Sequence, residues 1–250
     1  MSKNITEKMT EARVHPFPDL RRRSNEPELM DADNANPELL YRTLHELEVI
    51  NRWLGGYATT LAGLKTLLGV SGRDQNSMRL WRIVDVGCGG GDTLRAIADW
   101  GQTLGLRLQL TGLDLQPVCL EYARKHSQGY AIDWISGDFR AATGPYDLVI
   151  SSQFCHHLDD ALMREFFAWT RRVARYGYLI NDLQRHRLAY HSIHALTALL
   201  SRSPYVRYDG PMSVRRAWTR AELQNLAASA GLHPQIEWKW AFRYLVTGYV

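Results

Sequence analysis

The sequence lacks the features that mark several common classes of protein. Its three cysteines, Cys88, Cys119 and Cys155, are widely spaced, and none belongs to the C-x-x-C pair of a zinc site or disulfide framework. No run of about 18 apolar residues occurs, so we expect no membrane-spanning helix. The polar first twenty residues, with Pro16 and Pro18, disfavour a secretory signal. We therefore expect a cytoplasmic protein in a reducing compartment.

A strong excess of charge of either sign is also missing. The 250 residues carry a formal net charge of +4, with 45% hydrophobic and 22% charged residues. This composition is ordinary for a globular protein, and a chain of this length can bury a core without disulfides or metals. The mild positive charge permits an acidic ligand, but we expect no nucleic-acid partner.

The first 79 residues divide into two parts. Residues 1–35 are polar and weakly periodic, which predicts a flexible arm that a ligand can order. Residues 36–38 are an asparagine, a proline and a glutamate, a sequence typical of the start of a helix. Leucines at helical spacing follow on both sides of a Gly-Gly pair, so residues 36–79 are predicted to form a helical cap.

From Leu80 onwards, short apolar runs alternate with helical patterns, which is typical of a parallel sheet covered by helices. The strands are predicted at Trp81–Val86, Leu108–Leu113, Ile132–Ile135, Asp147–Ser151, Tyr176–Ile180, His233–Trp240 and Phe242–Val250. No full helix is predicted between the third and fourth strands. The last two strands adjoin directly, so they must pair antiparallel. Residues 80–250 thus form the main predicted domain, with an insert at residues 184–216.

The most informative segment is the glycine-rich run from Val84 to Asp92, where a strand leads directly into a helix. A phosphate-binding loop would need a lysine, which this loop lacks, and a dinucleotide loop would need glycine in place of Asp92. Acids at Asp85 and Asp92 instead suit a partly cationic ligand such as S-adenosylmethionine. The N-terminus of the following helix can bind the carboxylate of that ligand.

The pattern Asp85-x-Gly87-x-Gly89-x-Gly91 resembles the first motif of class I S-adenosylmethionine-dependent methyltransferases. In that family an acid after the second strand holds both ribose hydroxyls, and an acid after the third strand contacts the adenine amine. The resemblance implies the following cofactor-binding residues here: Asp85, Gly87, Cys88, Gly89, Gly91, Asp114, Leu115, Asp138, Phe139 and Ser152.

The same resemblance implies the architecture. We expect an α/β, Rossmann-like sheet of seven mostly parallel strands in the order 3-2-1-4-5-7-6. The last strand should run antiparallel, and the N-terminal helical cap should flank the sheet. S-adenosyl-L-methionine is the expected cofactor.

Two histidines, His156 and His157, follow the fourth strand. In the resembling family such a pair is often structural or close to the cofactor. Either residue is a candidate general base, because the pKa of histidine suits that task; the alternative is a residue that hydrogen-bonds the backbone at a helix entry. The Asn/Asp-Pro-Pro-aromatic run of methyltransferases that act on nucleic-acid amines is absent here, which disfavours that chemistry.

Candidate acceptor contacts lie in the insert and in the cap. His186, Tyr190 and His194 fall four residues apart, so they could share one helix face towards the acceptor. The apolar stripe of the same helix, which includes Ile193 and Leu196, is interpreted as packing. Trp53 on the cap is a further candidate. No metal site is expected, because no third ligand is evident and methyl transfer needs no metal.

The predicted function is methyl transfer to a small organic acceptor, at oxygen or carbon of a polyketide-, phenol- or quinone-like metabolite. Three alternatives remain open. They are a methyltransferase of macromolecules, a non-catalytic protein that binds the cofactor, and an NAD-dependent oxidoreductase, which the acids Asp85 and Asp92 disfavour.

Overall fold

The structure, a computed structural model, describes residues 18–32, 35–69 and 79–250. The remainder of the predicted arm, residues 1–17 and 33–34, and the end of the predicted cap, residues 70–78, lie outside the described residues.

Within the described part, seven strands form one sheet in the order β3-β2-β1-β4-β5-β7-β6. Their bounds are β1 Leu80–Val86, β2 Arg107–Asp114, β3 Ile132–Ser136, β4 Tyr146–Ser152, β5 Ala174–Leu183, β6 Gln235–Lys239 and β7 Arg243–Tyr249. The first five strands pair in parallel, whereas β7 runs antiparallel to both of its neighbours. The predicted strand order and the antiparallel last strand are confirmed.

Helices occupy the connections and the predicted cap. Their bounds are α1 Pro37–Trp53, α2 Gly56–Leu67, α3 Asp92–Thr103, α4 Pro117–His126, α5 Asp160–Val173, α6 Arg187–Leu200, α7 Pro204–Arg216 and α8 Arg220–Ser229. The Asn36 side chain caps α1 by accepting from the backbone N–H groups of residues 38 and 39. A reciprocal capping box of Thr219 and Glu222 begins α8. Between β3 and β4 there is only a 3₁₀ turn, Phe139–Ala141, as the absence of helical periodicity predicts.

The sheet separates two apolar cores. On one face, Met163 and Phe166 of α5 and Leu223 of α8 pack against the sheet. On the other face, Leu64 of α2 and Leu94 of α3 do so. Each large apolar side chain buried in this way contributes about 1.5–3 kcal/mol. The covered faces explain why the central strands read as continuous apolar runs.

Part of the predicted arm, residues 18–32, packs against α7. The backbone N–H groups of Leu29 and Met30 donate to the Asp209 carboxylate at 2.7 and 3.1 Å. The Ser24 N–H donates to the Arg215 carbonyl at 3.0 Å. Leu29 itself is buried. Residues of this segment also line the cavity described below. Among the described helices, none is both long and apolar enough for a membrane span.

Candidate active site

The glycine loop after β1 is shaped by its backbone. Gly87, Gly89 and Gly91 all have φ between 50° and 71°, a region that side chains disfavour. The N–H of Gly87 donates to the Leu113 carbonyl at 2.8 Å, which ties the loop to the end of β2. At Gly91 there is also no space for a side chain, because a Cβ there would lie 2.4 Å from the Trp134 ring. The loop thus turns sharply into α3.

Asp114, at the end of β2, faces the same loop. Its carboxylate accepts from the backbone N–H of Gly89 at 2.8 Å and from that of Gln116 at 2.9 Å. Burial raises the pKa of Asp114, and these two hydrogen bonds oppose the rise. Each carboxylate oxygen keeps a second lone pair, so both oxygens can still accept from a vicinal diol.

Two buried polar atoms at the strand ends beside the loop have no hydrogen-bond partner among the described residues. They are Oδ1 of Asp85, at the end of β1, and Oγ of Ser152, at the end of β4. Burial first, and then the neighbouring carboxylates Asp92 and Asp114, raise the pKa of Asp85 well above its usual range. Because unpaired buried polar atoms cost free energy, a ligand with a cation or a donor fits this position.

The helical cap contacts the first residue of α3. The Asn51 amide and the Tyr57 hydroxyl both donate to Oδ2 of Asp92, at 3.0 and 2.8 Å. Gln153, after β4, donates to the Asn51 side chain at 3.1 Å and has a positive φ of 54°. Such a backbone conformation is uncommon for a residue with a side chain and is often found at functional sites. Sequence reasoning missed Asn51 and Gln153, since amides carry no periodic signal.

The two predicted adenine contacts differ from each other in their surroundings. The Asp138 carboxylate is bound by Arg140, with 2.7 Å to Nη2, and this hydrogen bond lowers the pKa of Asp138. The Phe139 ring is buried and packs edge-on against Phe166 and Trp169, with centroids 5.5 Å away from each. Both residues nevertheless line the cavity, as does Leu115, which is largely exposed.

Most of these groups line one cavity of about 780 Å³. It extends from the glycine loop past β4 to a chamber between residues 28–31, α6 and α7. The volume lies within the range of about 300–1,000 Å³ that is usual for small-molecule sites. All ten predicted cofactor-binding residues lie in or beside the cavity, and Gly91 is the one that does not line it directly.

The comparisons with known proteins point to one family. Residues 83–177 match the family model described as a methyltransferase domain. Trans-aconitate 2-methyltransferase of Streptomyces avermitilis is 28% identical over 179 residues, covering 67% of this chain and 62% of the relative. Ubiquinone biosynthesis O-methyltransferase of Pectobacterium atrosepticum is 28% identical over 141 residues, covering 52% of this chain and 56% of the relative. The chain thus spans about three fifths of the length of these relatives.

Solved structures share the fold. Human N-acetylserotonin methyltransferase in complex with S-adenosylmethionine superposes with a TM-score of 0.63 at 18% identity, covering 98% of this chain and 66% of that one. Magnesium protoporphyrin IX methyltransferase from Synechocystis, also with S-adenosylmethionine, gives a TM-score of 0.57 at 12% identity, covering 90% and 99%. Residues 83–177 thus resemble a methyltransferase domain, and the chain shares the fold of these two methyltransferase structures. The acids at the loop and the unpaired Asp85 oxygen favour S-adenosylmethionine as the ligand.

Away from the glycine loop, Glu28 lies between the two predicted histidines. Its carboxylate is 3.5 Å from Nε2 of His156 and 3.8 Å from Nε2 of His157. On the opposite ring nitrogens, Nδ1 of His156 is 2.7 Å from Asp182, and Nδ1 of His157 is 2.7 Å from Asp31. Each imidazole is therefore oriented by one carboxylate and faces another.

Two arginines hold the backbone of this histidine pair. Arg23 Nη2 donates to the carbonyls of His156 and Leu158, both at 2.5 Å, and its guanidinium stacks 3.9 Å above the Trp218 ring. Arg216 donates to the carbonyls of His156 and His157 at 3.2 and 2.9 Å. Hydrogen bonds thus hold both the backbone and the side chains of the two histidines, which suits a site that needs a defined geometry.

His157 carries a positive charge at neutral pH. Burial lowers its pKa, but Glu28 and Asp31 outweigh burial and raise the pKa to about 9. The Asp182 carboxylate, for its part, has a pKa below its usual range: burial would raise it, and His156 more than compensates. The charged His157 therefore lies beside acidic side chains in a largely buried place.

The insert presents a different face of α6 to the chamber than we expected. Tyr190 is 2% exposed and packs against Val214, while His186 is exposed and stacks on Phe242 outside the cavity wall. His194, half-buried, lies beside Tyr190 and also does not line the cavity. The chamber wall is instead formed by the residues between them: Ala189, Ser192, Ile193, Leu196 and Thr197.

Ile193 and Leu196 of the predicted packing stripe thus line the cavity, whereas the predicted acceptor contacts of α6 do not. Periodicity identifies the stripe but not its partner. Trp53 is 79% exposed and does not line the cavity, since the end of α1 points it towards solvent.

The residues that could hold a metal ion in the described part of the chain are Glu28, His156 and His157, whose ligand atoms lie within 4.8 Å of one another. Arg216, with Nε 3.8 Å from the Glu28 carboxylate, and the charged His157 already balance that acid. The expectation that the protein needs no metal stays a prediction.

Proposed function

We propose that the protein transfers a methyl group from S-adenosylmethionine to a small organic acceptor, at oxygen or carbon of a phenol-, quinone- or polyketide-like metabolite. The bound cofactor supplies an electrophilic methyl group whose carbon–sulfur bond breaks as the bond to the acceptor forms. The observation that carries the proposal is the continuity of one cavity from the cofactor residues to an apolar chamber.

The walls of the chamber favour a small and partly apolar acceptor. Ile193 and Leu196 of α6, Val206 and Val214 of α7 and Leu183 of β5 line it. Because residues 28–31 border the chamber on a further side, a folded macromolecule would have to insert a thin segment. The names of two relatives refer to trans-aconitate and to ubiquinone biosynthesis, which also supports a small molecule.

The histidine cluster supplies a place for the proton of an acceptor hydroxyl. His156 and His157 remain the candidate bases, because both line the cavity and both Nε2 atoms approach Glu28. The methyl group would replace that proton on the acceptor oxygen. The proton would pass to an imidazole or a carboxylate of the cluster. An acceptor that fills the apolar chamber would exclude water from the sulfonium during the transfer.

The test is transfer of label from methyl-tritiated S-adenosylmethionine into a cell extract that is separated by size. We expect label in the small-molecule fraction, and much less label when the Asp114→Ala variant replaces the wild type. Label in protein or nucleic acid would contradict the proposal and favour a macromolecular acceptor. Cofactor binding without any transfer, across extracts and acceptor panels, would favour the non-catalytic alternative.

A further inference from the structure

Arg243, the first residue of β7, is a buried cation in the wall of the chamber. Its exposed fraction is 2%, and it lines the cavity. Its Nε and Nη1 atoms have no hydrogen-bond partner among the described residues. Burial lowers the pKa of Arg243 to about 10, so the guanidinium is still charged at neutral pH.

Asp182 is the acid whose charge acts on Arg243, but its carboxylate already accepts hydrogen bonds from other residues. Asp182 partly opposes the effect of burial on the Arg243 pKa. However, the Asp182 carboxylate accepts from Nδ1 and the backbone N–H of His156 at 2.7 and 2.9 Å, and from the Leu183 N–H at 2.7 Å. Within residues 18–32, 35–69 and 79–250, no acid lies within 4.0 Å of the Arg243 guanidinium.

Two other buried arginines of this region, Arg185 and Arg216, do have hydrogen-bond partners for their guanidinium groups. Arg216 donates to three carbonyls, and Arg185 donates to two carbonyls and to the Glu222 carboxylate. A buried charge without a partner costs several kcal/mol, whereas a paired one is tolerated. Arg243 is thus an unsatisfied cation that faces the cavity, and a ligand with an anionic group would satisfy it.

Arg243 lies at a distance from the glycine loop, where we expect the cofactor to bind. The glycine loop follows β1, and β7 is three strands away in the order β1-β4-β5-β7. At about 4.8 Å per strand, the two strands are about 14 Å apart. The cofactor carboxylate, which we expect at the start of α3, is therefore not the partner of Arg243.

We infer that Arg243 binds a carboxylate group of the methyl acceptor. A guanidinium matches a carboxylate in shape and in the direction of its donors, and it keeps its charge in an apolar environment. The inference rests on the proposed function in one respect, namely that the chamber holds the acceptor. It adds that this acceptor is an organic acid with an apolar body, held by its carboxylate at β7 and by the side chains of α6.

Binding of a minimal anion tests this directly. The wild-type protein, saturated with S-adenosylhomocysteine to fill the cofactor region, is titrated with acetate or with acetamide while the ¹⁵Nε–¹Hε resonances of its arginines are followed. The Arg243 resonance is assigned by its loss in the Arg243→Lys variant. We expect acetate, and not acetamide, to shift it in a saturable manner. The Arg216 resonance, whose donors are already used, is the internal control and should not move.

A variant gives a second measurement. With Leu183 methyl groups as the reporter, the affinity for acetate should fall at least tenfold in Arg243→Gln and partly recover in Arg243→Lys. Equal shifts with both probes, no shift with either, or an unchanged affinity in Arg243→Gln would overturn the inference. Neither measurement involves turnover, so failed methyl transfer with intact acetate binding would contradict the proposed function alone.

Discussion

The Asp31 carboxylate lies 2.7 Å from Nδ1 of His157, although the two residues are 126 positions apart in the chain. This contact joins the segment before the helical cap to the loop after β4. Because the other ring nitrogen faces Glu28, the same segment supplies both carboxylates that hold the imidazole. The charge of His157 and the docking of residues 28–31 are therefore coupled.

This coupling predicts a loss of stability at high pH. The pKa of His157 rises from 6.5 to about 9 on folding, since Glu28 and Asp31 outweigh burial. A raised pKa means that the folded protein binds the proton more tightly. The stabilisation of the folded state by the charged His157 is therefore complete below pH 6.5. It is lost as the pH rises through 9, and the free energy of unfolding falls by up to about 3 kcal/mol. Urea unfolding from pH 6 to pH 9.5 measures it. The His157→Gln variant should lack this pH dependence, and an equal slope in both proteins would contradict the assignment.

Replacement of His157 should also affect catalysis. If His157 accepts the acceptor proton, it must first lose its own proton, so kcat/KM should rise with pH up to about 9. In His157→Gln we expect kcat to fall by roughly 10²-fold with little change in KM, and the rise with pH to disappear. His156→Gln serves as the comparison. A wild-type rate that is independent of pH between 6 and 9 would exclude His157 as the base.

Asp114→Ala should weaken cofactor binding. If the carboxylate accepts both ribose hydroxyls, its loss costs roughly 2–4 kcal/mol of binding free energy. Calorimetry with S-adenosylhomocysteine measures this cost. Because Asp114 also accepts from the Gly89 N–H, thermal unfolding of the free variant must be measured in parallel. Unchanged affinity would refute the role that the resemblance assigns to Asp114.

Cofactor binding should release a proton from Asp85. Burial and the neighbouring acids keep its pKa well above the usual range in the free protein. A cationic ligand favours the ionised carboxylate, so affinity should increase with pH and protons should appear in solution. Calorimetry in two buffers of different ionisation enthalpy counts these protons. The Asp85→Asn variant should release fewer, and an identical count would show that Asp85 does not titrate on binding.

Removal of metal ions should leave activity unchanged. Glu28, His156 and His157 are close enough to bind a metal, but the Glu28 carboxylate is balanced by Arg216 and by the charged His157. We therefore expect equal rates before and after exhaustive dialysis against EDTA, with no stoichiometric metal in elemental analysis. A loss of activity that zinc or manganese restores would make these three residues a metal site.

The cofactor half of the site could be predicted from the sequence because its signals are local. Gly87, Gly89 and Gly91 lie in one turn, and Asp114 and Asp138 each directly follow a recognisable strand. In a parallel sheet the carboxyl ends of the strands meet at one edge, so consecutive strand ends predict a common site. The structure brings these residues to the same cavity.

The acceptor half could not be predicted in the same way. Glu28 and Asp31 lie in a polar segment without periodicity, and their partners are more than 120 residues away. Arg243 looks like an ordinary strand residue, because a strand pattern does not distinguish a buried cation from an exposed one. On α6, periodicity located the apolar stripe that includes Ile193 but could not show whether Ile193 faces a protein core or the chamber.

The position of the chamber-lining residues along the sequence has a consequence for the exchange of segments between homologous proteins. The acceptor-facing side chains of α6 and α7 come from one uninterrupted stretch, residues 187–216, between β5 and α8. The predicted cofactor-binding residues all lie before this stretch. An exchange of residues 187–216 between homologous proteins would therefore change the apolar part of the chamber wall, while Arg243 and the glycine loop stay in place.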